Sequence, residues 1–415
     1  MSPRGILWVK IGGLWPANTG GRLRSFHIVS ELARRHRVTV LTTHGPDDDV
    51  PGLRRRLAHC EQVVSVPYVL PRHGSARFAA ALLRSWLSPL PVDLWKTRVP
   101  ALQHHVRQAL AVGGIDLCVA DFLVATPNVP ARPPVPVVFF AHNVEHMIWR
   151  RLWEVERRPL RRLLLDVERR KMRRAERRTC AQASLTVAVS TADRDQLAAE
   201  APGARVTAIP TGVDTEYFTP TGAAAVPGRL VFTGSMDWYP NEDGILHFID
   251  AVLPAVRRAM PGVSLAVVGR KPSERLRSAA VAAGVEVTGG VDDIRPHIEA
   301  GEVYVVPLRV GGGTRIKIFE ALAMGRALVS TTVGAEGLPL EPGRHFLQED
   351  DPAAFASAVI ALLRDPARRA ALGAAGRRLV TERYSWAQVA RDFERCCELV
   401  LAAPRPAALG APVRV

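Results

Sequence analysis

Short apolar runs alternate with helical patterns along most of this chain, and that alternation restricts its fold more than any other feature of the sequence. Strand-like runs are predicted at Ile6–Val9, Val38–Thr42, Val63–Val66, Leu117–Ala120, Val135–Phe139, Leu185–Val189 and Val206–Ile209. Helical patterns fall between them, near Arg22–Arg35, Ala76–Leu87, Leu102–Val112, Leu160–Cys180 and Asp193–Ala199. Strand, helix, strand with short connections is the signature of a parallel sheet covered by helices. Residues 219–228 interrupt the alternation with Thr, Pro, Gly and Ala, and read as a linker. Strands are then expected at Leu230–Thr233, Leu265–Val268, Val285–Thr288, Val303–Val306 and Ala327–Ser330, and helices at Glu242–Ala259, Glu274–Ala283 and Arg315–Met324. After Asp351 the pattern is helical, at Phe355–Leu363, Arg369–Glu382 and Trp386–Leu401. The fold class is α/β, with two doubly wound units whose ligand is expected beyond the carboxyl ends of the strands, in a cleft between the halves. The expected boundaries are 1–218, a linker 219–228, a second domain 229–385, a terminal helix 386–403 packing back on the first domain, and a flexible tail 404–415.

Size agrees with two cores, since 415 residues exceed what one core ordinarily serves. No run of 18 apolar residues occurs, and Ile6–Val9 passes directly into Lys10, too short for a signal segment, so a cytoplasmic protein is expected. Cys60, Cys118, Cys180, Cys396 and Cys397 form no CxxC pair and read as buried or idle thiols. The net charge is +15, but only five of the 55 basic residues are lysines, which points to arginine-biased coding as much as to a selected surface. The densest basic stretch, Arg157 to Arg178, reads either as a solvated helix or as a face for anionic lipid, which adds a peripheral place on the inner face of the cell membrane as an alternative. No RNP or zinc-finger pattern accompanies the charge, so nucleic acid is not an expected partner.

The strongest local signal is Val310-Gly311-Gly312-Gly313-Thr314-Arg315-Ile316-Lys317-Ile318-Phe319-Glu320. Glycines after a strand permit a tight turn, Thr314 is a good N-cap, and a helix start attracts anions. Arg315 and Lys317 in the first helical turn are electrostatically misplaced unless an anion is present, so a phosphate is expected there. Lys317 would neutralise a diphosphate and Glu320 accept ribose hydroxyls; the plain alternative is that the two pair on the surface. Neither a Walker A loop nor a GxGxxG fingerprint is present. A second glycine loop, Gly12 to Gly21, follows the first strand and precedes the first helix, where close backbone approach to a ligand is expected, a plain turn being the alternative. His142, Asn143 and Glu145 follow another strand and are candidates to touch a sugar or an incoming hydroxyl, a core or capping role being the alternative, with His146 read as helix surface. Ser235, Asp237 and Asn241 are candidates for lining a donor pocket, and Trp238 for stacking on a ring or filling a hinge. No hydrolase triad or metal cluster is discernible, so a metal-free site without a cofactor is expected.

Taken together, the Gly-Gly loop, His142-Asn143-Val144-Glu145, Ile209–Phe218, Thr233–Gly244 and Gly311–Gly325 resemble the GT-B glycosyltransferases of family 4, and within them the subgroup associated with exopolysaccharide synthesis and the exosortase (PEP-CTERM) system. The resemblance spans nearly the whole chain. It implies two Rossmann-like domains facing across a cleft and metal-independent transfer, with retention, of a sugar from a nucleotide-sugar, UDP- or GDP-linked, to a glycan or polyprenyl-diphosphate-linked glycan. By the same resemblance Glu320 is the ribose-binding glutamate, His142 the sugar-facing histidine, and Gly20 and Gly21 the loop near the phosphates; Gly313 and Thr314 fall in the donor loop. Two positions depart from the family pattern. Gly312 stands where the first glutamate of an E-x7-E pair is usual, and Ser235 stands where an arginine is usual. Arg315 and Lys317 are therefore expected to take the diphosphate. The competing readings are a nucleotide-sugar epimerase or hydrolase and, from another class, a basic nucleic-acid-binding protein.

Overall fold

The structure, a computed structural model, describes residues 2–71, 74–311 and 315–403, with the backbone alone at Val155. It divides into two compact units, Met1–Pro210 with Val389–Val415, and Thr211–Gln388.

The first unit runs β1 (Gly5–Lys10), α1 (Gly20–Ala33), β2 (Arg37–His44), α2 (Val50–Arg56), β3 (Gln62–Pro67), α3 (Ala76–Trp86), α4 (Val92–Lys96), α5 (Pro100–Val112), β4 (Leu117–Asp121), β5 (Val137–Ala141), α6 (Glu145–Val155), α7 (Pro159–Gln182), β6 (Leu185–Ala188), α8 (Thr191–Glu200) and β7 (Val206–Ala208). Its strands form one sheet in the order β3-β2-β1-β4-β5-β6-β7, parallel throughout. β1 and β4 are buried along their whole length, as strands covered on both faces must be, and this is why they read as unbroken apolar runs. The strand order reverses between β1 and β4, where Lys10 and Asp121 pair across the sheet at the final residue of each strand. Charges thus lie at the point where such sheets take their ligands. β5 starts later than expected because Pro136 has no N–H for the ladder.

The basic segment is the 24-residue helix α7, whose buried positions are Glu168, Met172, Glu176 and Cys180, four residues apart. Its two buried carboxylates serve other helices. Glu168 accepts from the Val92 backbone N–H at 2.7 Å, and Glu176 accepts from those of Glu145 at 2.7 Å and His146 at 3.3 Å. α4 and α6 therefore begin on carboxylates supplied from α7, which satisfies donors that a helix start leaves open. His146, expected on the helix surface, is instead buried and meets Glu176 through Nδ1 at 2.5 Å.

The second unit runs β8 (Arg229–Thr233), α9 (Tyr239–His247), α10 (Leu253–Ala259), β9 (Ser264–Val268), α11 (Glu274–Ala282), β10 (Glu286–Gly289), α12 (Arg295–Glu299), β11 (Val303–Val306), α13 (Ile316–Ala323), β12 (Ala327–Ser330), β13 (Leu347–Gln348), α14 (Pro352–Arg364) and α15 (Pro366–Arg383), with α16 (Trp386–Ala402) beginning here. The sheet order is β10-β9-β8-β11-β12-β13, again parallel, with the reversal between β8 and β11. The expected single helix Glu242–Ala259 contains a π turn at Phe248–Val252. Pro254, just beyond it, has no N–H to give, and the Leu253 N–H bonds back to the Phe248 carbonyl, so the ladder widens there. Residues 219–228 carry no helix or strand and lie inside the second unit, the first having ended at Pro210. They are fastened to Glu299, which accepts from Thr221 N at 2.7 Å, Thr221 Oγ1 at 2.8 Å and Gly222 N at 3.0 Å.

From Val389 onward α16 belongs to the first unit. There Phe393 packs on Trp8 and Phe140, and Glu394 meets Arg35 at 2.8 Å and His36 at 2.7 Å. The expected tail 404–415 lies outside the described residues. Among the described residues no helix is long and apolar enough to cross a membrane.

Candidate functional site

In the second unit the polar groups gather where β8 ends. The Thr233 hydroxyl shares a hydrogen bond with that of Tyr304 on the adjacent strand, and the Gly234 N–H donates to the Val268 carbonyl at 2.9 Å. A side chain at position 234 has no room: a Cβ there would stand 2.6 Å from Asn241 Nδ2 and 2.7 Å from Lys317 Nζ. Asn241, buried near the start of α9, donates to the Ser235 carbonyl at 2.8 Å and accepts from Lys317 Nζ at 2.6 Å. The Lys317 ammonium also lies 4.2 Å from the centre of the Phe232 ring. Lys317 comes from the first turn of α13, so one asparagine joins the helix after β11 to the loop after β8, across the reversal in strand order.

Burial governs the charges here. It pulls the Lys317 ammonium down to about 7 against the opposing pull of Glu320, with Arg315 adding to the fall. It likewise pushes the Glu320 carboxyl up to about 7 against Lys317. The plain alternative, a Lys317–Glu320 surface pair, is not what forms: no ion pair joins them among the described residues. Arg315 precedes α13 instead of lying in its first turn; it is buried, with its guanidinium 5.3 Å from the Trp238 ring centre and Nη2 3.5 Å from the Val333 carbonyl. Ser235 Oγ donates to Asp237 Oδ1 at 2.5 Å. Gly313 and Thr314, with Gly312, lie outside the described residues.

The first unit carries a second cluster at its own strand reversal. Asp121 accepts from Trp8 Nε1 at 2.9 Å and pairs with Lys10 Nζ at 3.2 Å. His142, just past β5, receives the Arg24 guanidinium on Nδ1 at 2.9 Å and turns Nε2 towards Asp121 Oδ1 at 2.8 Å, close in distance without the alignment of a hydrogen bond. Because Nδ1 accepts, the proton of the neutral ring resides on Nε2. Burial holds the imidazole down to about 3, helped by Arg24 and Lys10 and opposed by Asp121. Burial alone would push the Asp121 carboxyl up, but Lys10 and His142 override it and hold the group well below the usual carboxylate range. Phe122, in the left-handed region at φ 72°, lays its ring on His142 at 3.7 Å. The same ring explains Gly21, where a Cβ would come within 2.5 Å of Phe122 Cζ.

His142, expected to face a sugar, thus has both ring nitrogens turned to protein groups. Asn143 is exposed, and Glu145, at the start of α6, is pushed up to about 7 by burial and the neighbouring Glu176, with Asn143 opposing. Gly20 opens α1 behind the N-cap Thr19. Within the second unit, then, Ser235, Asn241 and Lys317 converge, with Arg315 one ring away. Within the first, Gly21 and His142 meet through Phe122. Sequence reasoning missed Lys10, Arg24 and Asp121; for Lys10 and Asp121 the available signal was a charge closing an otherwise apolar strand, while Arg24, inside α1, carries none.

Residues 20–217 match the family model described as Glycosyltransferase Family 4, and residues 227–365 match Glycosyl transferases group 1. A phosphatidyl-myo-inositol mannosyltransferase of Mycobacterium leprae is 33% identical over 211 residues, 48% of this chain and 55% of that protein. A GDP-mannose-dependent alpha-(1-6)-phosphatidylinositol monomannoside mannosyltransferase of Mycobacterium tuberculosis is 31% identical over 222 residues, 47% of this chain and 57% of that protein. The chain thus spans little more than half the length of these curated relatives. In three dimensions it is similar to Anabaena HepE, solved in complex with UDP and glucose, with a TM-score of 0.63 at 16% identity, covering 95% of this chain and 99% of that one. That likeness is one of fold, and two Rossmann-like sheets of parallel strands are what GT-B glycosyltransferases contain.

Proposed function

Because the chain carries a glycosyltransferase family 4 segment followed by a group 1 segment, we propose that it transfers a sugar, with retention, from a nucleotide-sugar to a glycolipid or lipid-linked glycan. The observation that carries this reading is the Gly234–Asn241–Lys317 cluster at the strand reversal of the second sheet. An ammonium that burial strips of water is strongly stabilised by an incoming anion, which draws the lysine towards its charged form. Lys317 then meets the diphosphate and stabilises the charge that grows on it as the glycosidic bond breaks. Glu320, from the same helix, accepts from the ribose hydroxyls. The acceptor hydroxyl attacks from the face the diphosphate leaves, and the departing phosphate takes its proton. Arg315 supports the loop from beneath, and His142 acts by holding Asp121 and Phe122 in place. The reaction needs no bound metal, so a chelator should leave turnover unchanged.

GDP-mannose is the donor to try first and a phosphatidylinositol-type glycolipid the acceptor, since relatives bear those names, with exopolysaccharide synthesis as the setting the motifs favour. Titration of the protein with UDP, GDP, ADP, CDP and dTDP, beside Glu320→Ala, tests the donor site. Selective binding by one of them, weakened about tenfold or more in the variant, is expected; no binding by any sinks the reading. Donor consumption without acceptor at the full rate would favour an epimerase or hydrolase instead.

A membrane-lying acceptor fits the outer face of α6 and α7. Ile148, Leu152, Leu160, Leu163 and Val167 are exposed there among Arg150, Arg151, Arg157, Arg161 and Arg170. Apolar side chains interleaved with arginine suit the headgroup layer of an anionic bilayer. Leu160→Asp with Leu163→Asp should abolish co-sedimentation with phosphatidylglycerol vesicles while leaving GDP binding intact. Sedimentation equal to wild type would remove this face from consideration.

A further inference from the structure

The loop after β8 lacks the basic residue that the family resemblance leads one to expect, since Ser235 occupies the place. The adjacent strand fills the gap. Immediately after β9 the chain reads Gly269-Arg270-Lys271, and the two loops are tied together at three points. The Met236 N–H donates to the Arg270 carbonyl at 2.9 Å, Arg270 Nε donates to Ser235 Oγ at 2.9 Å, and Lys271 Nζ meets Asp237 Oδ2 at 3.0 Å. Their backbones touch as well: a Cβ at Gly269 would lie 1.7 Å from the Gly234 carbonyl oxygen, so only glycine permits the approach.

From this arrangement we infer that Arg270 supplies the cation that Ser235 does not, and that it binds the diphosphate of the nucleotide donor; the inference rests on the donor-site reading above. Arg270 is exposed, and among the described residues its two Nη groups make no hydrogen bond, while Ser235 anchors Nε and so aims the fork. A planar guanidinium held at one nitrogen is prepared for two-point contact with a phosphate. Arg315, by contrast, is buried beneath Trp238, and Lys317 reaches Gly234 from the Asn241 side. The ledge formed by residues 234–237 thus has a cation on either side, Lys317 within and Arg270 without. Lys271 adds an independent sign. It is a non-glycine residue in the left-handed region at φ 57°, a conformation that persists only where its surroundings fix it and that collects at ligand-binding loops. Ser235, a departure when read against its neighbours in sequence, becomes the group that orients an arginine from the next strand.

The test is a calorimetric titration with the nucleoside diphosphate that wild type prefers and with its parent nucleoside, in wild type, Arg270→Ala and Arg270→Lys. Loss of one charged, two-point contact predicts that Arg270→Ala weakens diphosphate affinity by about 10- to 100-fold. Nucleoside affinity and the melting temperature stay at wild-type values, and Arg270→Lys recovers part of the loss. Equal weakening for nucleoside and diphosphate, or wild-type affinity for both in Arg270→Ala, overturns this inference and leaves the donor site standing. A wild-type protein that binds none of the diphosphates overturns the donor site and this inference together.

Discussion

At Lys317 and Glu320 burial outweighs mutual attraction, and each group is moved towards its neutral form. The consequence for ligand binding can be given a sign. A bound diphosphate favours the ammonium, so binding takes up a proton wherever the free lysine is neutral. In Glu320→Gln the carboxylate that holds the lysine up is gone, and Lys317 titrates at or below about 7. Diphosphate affinity in that variant is therefore full below this pH and falls as pH rises through it, by up to about tenfold per pH unit. Lys317→Met in the same background supplies the reference without the titration. Calorimetry from about pH 6 to about pH 9 reads the difference, and parallel profiles would refute the contact. Part of this scale was legible beforehand. Cations after a glycine turn singled out Lys317, which lies at the strand reversal of the second sheet, whereas His142, singled out by its place after a strand as a sugar contact, is turned to Arg24 and Asp121. The partners of His142 were not legible, because Asp121 and Arg24 reach it from other strands and helices and no local pattern records such meetings. An arginine after a glycine, such as Arg270, gives no more sign of its neighbour Ser235, which is 35 residues away.

Elements were read well where they bury both faces and poorly where their ends are completed from a distance. β1, β4 and β11 are continuous apolar runs, and no other local structure of that length suits them. α4 has five residues and no side-chain cap of its own, and α6 also lacks one; both begin on carboxylates of α7. Propensity is silent about such helices, which exist because α7 is already there. Glu176→Ala should accordingly release the Glu145 and His146 amides to hydrogen exchange and cost about 1–3 kcal/mol, the usual penalty for stranding buried donors. Glu176→Gln, which keeps an acceptor oxygen, should retain part of the protection. Unchanged exchange in both variants would mean that α6 stands by its own packing. α7 thus carries carboxylates inward and arginines outward. Its high charge reflects a structural duty on one face and, on the membrane reading, a surface duty on the other.

For the whole molecule the telling feature is that the first unit is not one stretch of chain. It stops at Pro210 and is finished by residues from Val389 onward. Phe393 fills the space between Trp8 and Phe140 and is itself fully buried. Phe393→Ala should cost about 3–5 kcal/mol in the unfolding of the first unit, as large-to-small changes in a packed core do. The second unit, which does not contain that residue, should unfold as in wild type. Hydrogen exchange of the β1 and β5 amides against denaturant reads the first and that of the β8 and β11 amides the second; equal shifts in both would contradict the division. The same feature bears on how the protein is made. A ribosome delivers Trp8 and Phe140 long before Phe393, and while the entire second unit is being synthesised the first waits with that apolar face uncovered. A chain that stops before Val389 therefore contains the whole second unit yet leaves the sheet of the first unfinished, and quality-control proteases would meet the fault far in sequence from the missing residues.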